Sequence, residues 1–202
     1  MVRYLVVALV LILASVSIGL IFWQQEMKYQ LPTPVPSNYK LVSLGQSVRL
    51  PEDFNSSTAY FLHFYNPDCP CSRFNSKNVK FLIRSHGDSV RMVIIVPDLS
   101  SAKKARNEFG EVDIYVDETN QLALSTGVYS TPQAVIIDQH QKLYYRGNYN
   151  KSRYCTSKAT NFAELALVAL FNHQPSPQFG LLATQSYGCE WDKTNEASLE
   201  LF

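Results

Sequence analysis

Charge is scarce and balanced in this chain. Of its 202 residues 17% are charged, with 18 Lys and Arg against 17 Asp and Glu, a formal net charge of +1. That balance lacks the basic excess of a nucleic-acid binder and gives no strong electrostatic steering. Cysteine is scarce too. Four cysteines are too few for a disulfide scaffold, and no CxxC…CxxC pattern offers structural zinc ligands. Their even number fits two pairs. Internal repeats and low-complexity tracts are absent. What is present is a globular composition, 46% hydrophobic. About 165 residues remain once an apolar N-terminal segment and a short linker are set aside, enough for one domain with one core.

Charge is missing altogether from residues 4–23. A helix of that length spans about 30 Å, the hydrocarbon thickness of a bilayer. Arg3 lies before the run, and Phe22 and Trp23 close it where amphipathic rings meet a membrane interface. The run reads as an uncleaved anchor with its N-terminus cytoplasmic and the domain outside. The alternative is a cleaved signal peptide, although the apolar stretch is long for one and Ser15-Val16-Ser17 is a poor cleavage site. Either way the domain is expected on the extracytoplasmic (periplasmic) side, where disulfides persist. Residues 1–28 form the anchor and its flanks, 29–40 a linker stiffened by Pro32, Pro34 and Pro36 that holds the domain off the membrane, 41–172 the folded domain, and 173–202 an irregular tail.

Within the domain, residues 59–65 (AYFLHFY) and 90–96 (VRMVIIV) read as strands buried on both faces. A helix is expected over 72–85. Another is expected after Ser100 or Ser101 as N-cap, and a short one over 119–126 closed by Gly127. Residues 112–116 form a short strand, 134–137 and 143–146 a hairpin, and 160–171 an amphipathic helix. This order is α/β with a mixed sheet.

Cys69-Pro70-Cys71 follows a buried strand and opens a helix. Helix N-terminal N–H groups and the dipole favour thiolate, the reactive form. Two cysteines so close could close a small, easily reduced ring. Two unpaired thiols or a metal pair are the alternatives.

The run FLHFYNPDCPCSRF, Phe61 to Phe74, resembles the active-site turn of thioredoxin-like thiol–disulfide oxidoreductases. So does GVYSTPQAVIID, Gly127 to Asp138, where the family carries a cis-proline before an apolar strand. The likeness is greatest to the membrane-anchored branch of bacterial envelopes, with a CxC in place of the usual CxxC. It implies a thioredoxin-like fold, a mixed central sheet flanked by helices, preceded here by one transmembrane helix. It implies Cys69 as attacking thiol and Cys71 as resolving thiol, with Thr131 and Pro132 (a cis peptide) beside them. Asp68 would oppose ionisation of Cys69 and Arg73 would favour it. His63 stands where the family places a buried proton relay to the second cysteine; the other reading is a hydrogen-bonded strand histidine. The family topology brings Cys155 to the active-site end, so a structural Cys155–Cys189 bridge pinning the tail is expected, with a redox relay through Cys155 as the alternative. Lys151 and Arg153 lie in the same loop.

The implied activity is thiol–disulfide exchange on envelope proteins, with no cofactor beyond the protein's own dithiol. Its partners would be protein thiol or disulfide clients and a redox partner protein. Two alternatives stay open: a copper metallochaperone on the same fold, since soft thiolates select Cu(I), and a redox-inert binding module. A thiol peroxidase is excluded, because Leu62 and Asn66 stand where its Pro and Thr would precede Cys69.

Overall fold

The computed structural model describes residues 2–26, 31–54, 57–151 and 157–191. Helix α1, Val2–Glu26, is exposed along residues 2–24, and residues Val2–Gln24 are long and apolar enough to cross a membrane. The domain then runs β1 (Tyr60–Phe64), α2 (Pro70–His86), β2 (Arg91–Val96), α3 (Leu99–Phe109), β3 (Asp113–Val116), α4 (Gln121–Thr126), β4 (Ser130–Thr131), β5 (Gln133–Ile137), β6 (Leu143–Gly147), α5 (Phe162–Phe171), α6 (Leu181–Thr184) and β7 (Cys189–Glu190).

The main sheet has the order β3-β2-β1-β5-β6. β1 runs parallel to β2 and antiparallel to β5, with Phe64 opposite Ile95 on one side and Gln133 on the other. A central strand has no solvent face, which is why β1 shows no polar alternation. Its side chains divide between two cores. Phe61 packs with Val79 and Leu82 of α2, Ala105 and Phe109 of α3, and Ala166 and Leu167 of α5. Tyr60, Leu62 and Phe64 pack with Val42, Val48, Leu122 of α4 and Trp191. This is the thioredoxin-like arrangement that the sequence implies: a mixed sheet, helices on its faces, and the strand-to-helix turn at the end of the central strand.

Several local expectations are revised. The N-cap of α3 is Asp98, whose carboxylate accepts the N–H of Ser101 at 2.8 Å, instead of Ser100 or Ser101. Helix α4 is capped from a distance. Asp117 accepts the N–H groups of Leu122 (3.1 Å) and Ala123 (2.8 Å), and burial nevertheless raises its carboxyl above the usual range. The helix ends at Gly127 with φ +71°, a left-handed cap.

The segment after His173 departs most from expectation. It carries α6 and β7, and β7 pairs antiparallel with β4 to form a second, two-stranded sheet. Trp191, 3% exposed, belongs to the core beside Phe64. The linker is docked as well: Thr33 is buried, its N–H donates to the Ser186 carbonyl at 2.9 Å, and Pro32 forms a bridge with Tyr187.

Candidate functional site

The site lies where β1 ends and α2 begins. Tyr65 N–H continues the pairing to the Ile95 carbonyl (2.9 Å). The chain then turns through Asn66-Pro67-Asp68. Asn66 fixes the turn, because its side-chain oxygen accepts the Asp68 N–H (2.9 Å) and its carbonyl accepts the Cys69 N–H (3.0 Å). Cys69 is the N-cap of α2 in extended conformation, with Pro70 following at the first helical position. Proline suits that position, since its fixed φ is helical and its missing N–H would have been unpaired. The Cys69 sulfur therefore sits at the positive end of a helix of 17 residues.

Opposite it stands Thr131-Pro132, whose peptide bond is cis, as the family resemblance implies. The Cys69 sulfur is 3.5 Å from the Thr131 carbonyl oxygen. A buried chain of hydroxyls locks the two segments together. Thr131 Oγ1 donates to the Phe64 carbonyl (3.0 Å), so the 2.8 Å contact between the Ser72 and Thr131 hydroxyls has Ser72 as donor. Ser72 Oγ in turn receives the Asn66 N–H (3.4 Å). Sequence reasoning missed Ser72. Its signal was a small hydroxyl residue one place after the second cysteine, in the first turn of α2.

The expected charges around Cys69 are arranged at the rim. Asp68 is exposed and pairs with Lys104 Nζ at 2.7 Å, which offsets its field at Cys69. Arg73 donates to the Pro67 carbonyl at 3.3 Å and stays beside the turn.

The disulfide pattern corrects the expected one. Cys69 is bonded to Cys189, 120 residues away, with a Cα–Cα distance of 6.0 Å. So Cys189 is not the partner of Cys155, and Cys69 is not closed on Cys71 in this state. The physical reason is the β4–β7 pairing, which sets Cys189 directly opposite Thr131 and so beside the Cys69 sulfur. Cys71 is buried in the first turn of α2. Cys155 and Arg153 lie outside the described residues; Lys151 is exposed.

His63 is a core residue. Its Nδ1 meets the Tyr149 hydroxyl at 2.7 Å, and its ring packs against Tyr65, Phe109 and Tyr149. Burial lowers its pKa to about 3, so the ring is neutral at ordinary pH. This matches the reading as a hydrogen-bonded strand histidine. Among the described residues no group of three His, Cys, Asp or Glu side chains comes together to hold a metal ion.

The chain has a thioredoxin-like fold with a cysteine at the N-terminus of the helix after its central strand. The chain belongs to DUF6436, a domain family of unknown function, which matches residues 41–191 and so takes in the tail strand as well as the turn. No curated protein matches it. Among solved structures it is similar to an uncharacterized conserved protein from Geobacillus kaustophilus. That pair is 25% identical, covering 80% of this chain and 97% of that one, with a TM-score of 0.62. It is also similar to a hypothetical protein from Sinorhizobium meliloti 1021, at 19% identity, 76% and 96% coverage, and a TM-score of 0.61. Thiol–disulfide oxidoreductases appear among the matches at low identity. A secreted disulfide oxidoreductase from Mycobacterium tuberculosis is one, 13% identical, covering 55% of this chain and 82% of that one, with a TM-score of 0.44.

Proposed function

We propose that this protein is a membrane-anchored thiol–disulfide oxidoreductase of the cell envelope, with exchange centred on Cys69. The observation that carries the reading is the bond itself. Cys69 sits at a helix N-terminus, packed against Thr131, and holds a disulfide to a cysteine on a paired strand. That is the arrangement of a mixed disulfide with a client. Partial positive charge from the first-turn N–H groups stabilises a Cys69 thiolate, both as nucleophile and as leaving group. Cys71, two residues on in the same turn, is the resolving thiol. In the reaction Cys69 attacks a client disulfide, and Cys71 then displaces the client. Clients are protein thiols or disulfides, and a second redox protein resets the pair. Thr131 and Pro132 form the wall against which the client sulfur lies.

The envelope location rests on α1, which has the length and apolarity of a membrane span, and on the disulfide, which persists in oxidising compartments. Labelling of single-cysteine variants in intact cells with a membrane-impermeant maleimide tests the side. Labelling only after lysis would refute the extracytoplasmic placement.

The exchange itself is tested by trapping. With Cys189→Ser as background, so that the Cys69–Cys189 bond neither blocks nor resolves the site, Cys71→Ser should accumulate mixed disulfides with envelope proteins, visible as reducible high-mass bands. Cys69→Ser should accumulate none and lose exchange with a model disulfide by about 10³-fold or more. Adducts on the Cys69→Ser protein but not on Cys71→Ser would reverse the two roles.

A further inference from the structure

The tail strand lies on the site as a ligand would, and more holds it than a sulfur–sulfur bond. Cys189 and Glu190 pair with Thr131 and Ser130, and the Trp191 N–H donates to the Tyr129 carbonyl at 3.0 Å. Without the tail, the 129–131 segment would present an open strand edge, which recruits extended chain. Each side of Cys189 is fitted. Gly188 has φ +137°, and a β-carbon there would run into the Thr131 carbonyl oxygen. Two residues past the cysteine, Trp191 is buried with its ring 5.0 Å from that of Phe64. The outer side is held by the linker: Thr33 donates to the carbonyls of Ser186 (2.9 Å) and Gly188 (3.2 Å).

We propose that residues 186–191 are a redox-released strap, occupying covalently the place where the site takes an extended, cysteine-bearing client segment. The preferred segment has a small residue before the cysteine and a large apolar one two places after it. The proposal rests on exchange at Cys69 and adds the class of client and a gate. The gate opens with an external dithiol. One of its thiolates attacks the sulfur of Cys189, the partly exposed member of a pair in which Cys69 is 1% exposed. The Cys69–Cys189 bond breaks, and its electron pair leaves on Cys69. A mixed disulfide then joins the dithiol to Cys189. The second sulfur of the dithiol displaces Cys189 and closes the external disulfide. Two electrons have passed to Cys69 and Cys189, and the two protons of the dithiol go to them or to solvent.

The test uses the full chain in detergent micelles. The probe is the hexapeptide Ser-Tyr-Gly-Cys-Glu-Trp, its cysteine activated as a 2-thiopyridyl disulfide. Every variant carries Cys71→Ser so that the adduct is not resolved; thiopyridone release gives the rate and mass spectrometry assigns the Cys69 adduct. Cys189→Ser and the double variant Gly188→Val/Cys189→Ser both lack the covalent link, but only the second is barred from lying against Thr131. The double variant should react about 10-fold faster, and a probe N-methylated at its Trp amide should react several-fold slower than the parent peptide. Equal rates in the two variants would overturn the strap, and equal rates for the two probes would overturn strand pairing by the client. If the double variant loses its thermal transition, Trp191→Ala in the Cys189→Ser background replaces it, with the same expected acceleration and the same overturning result. A Cys69 that exchanges with neither the peptide nor glutathione disulfide in any variant would sink the oxidoreductase reading instead.

Discussion

In the five-stranded sheet, Leu62 of β1, Val93 of β2 and Val135 of β5 lie side by side and buried, roofed by Leu122 of α4. In the two-stranded sheet, Thr131 and Cys189 face each other across one register pair, and the strands are two residues long. The first sheet is held by apolar area, which no change in redox state removes. The second is held by a short backbone ladder, one buried indole and one bond that a dithiol can cut. A two-stranded ribbon has little stability of its own. The difference separates a permanent scaffold from a contact that can be made and unmade on top of it.

Replacing Leu62 with Ala should do the greatest damage to the scaffold. Lost burial and the cavity left behind cost about 3 kcal/mol, read as a drop in the urea midpoint. If the variant is as stable as the parent, the apolar account of the main sheet is wrong. Acid should follow. His63 has a folded pKa of about 3 against an ordinary 6.5. The unfolded chain therefore binds the extra proton, and the stability present above pH 6.5 is lost as pH falls toward 3. At pH 5 the loss is about 2 kcal/mol, and His63→Gln should flatten that slope; an unchanged slope would assign it to other groups. Ser72→Ala, which breaks the hydroxyl chain joining the two regions, should cost about 1 kcal/mol. A double-mutant cycle with Thr131→Val should show coupling, and strict additivity would deny the link. The smallest effect in free energy is the sharpest for the comparison. On reduction, amide exchange should accelerate at Glu190 and Trp191 while Leu62 and Ile94 stay protected. Equal acceleration across both sheets would mean that the disulfide supports the whole domain.

The main sheet was legible because central strands announce themselves as continuous apolar runs, as residues 59–65 and 90–96 do. The turn at Cys69 was legible from its place between such a strand and a helix. The partner of Cys69 was not. Cys71 is near in sequence, whereas Cys189 is brought near only by a two-residue pairing that leaves no hydrophobic period to read. Cys189 does tie the tail down, as expected, but to the Cys69 turn instead of to Cys155. Asp98, Ser100 and Ser101 are all good capping types, and only the φ of the chain decides among them. Ser72 carried only a weak signal, its place just after the second cysteine, since one buried hydroxyl matters only through the Thr131 it meets.

The docking of Pro32 and Thr33 against the strap sets a length. Helix α1 ends at Glu26, and six peptide steps separate it from Pro32. At a maximum of about 3.5 Å per step, that leash reaches about 20 Å. With α1 in a bilayer, Pro32, which borders the strap, stays within that distance of the end of the span. Under the proposed exchange, a client would then have to bring its cysteine close to the membrane, as a chain newly emerging across it does.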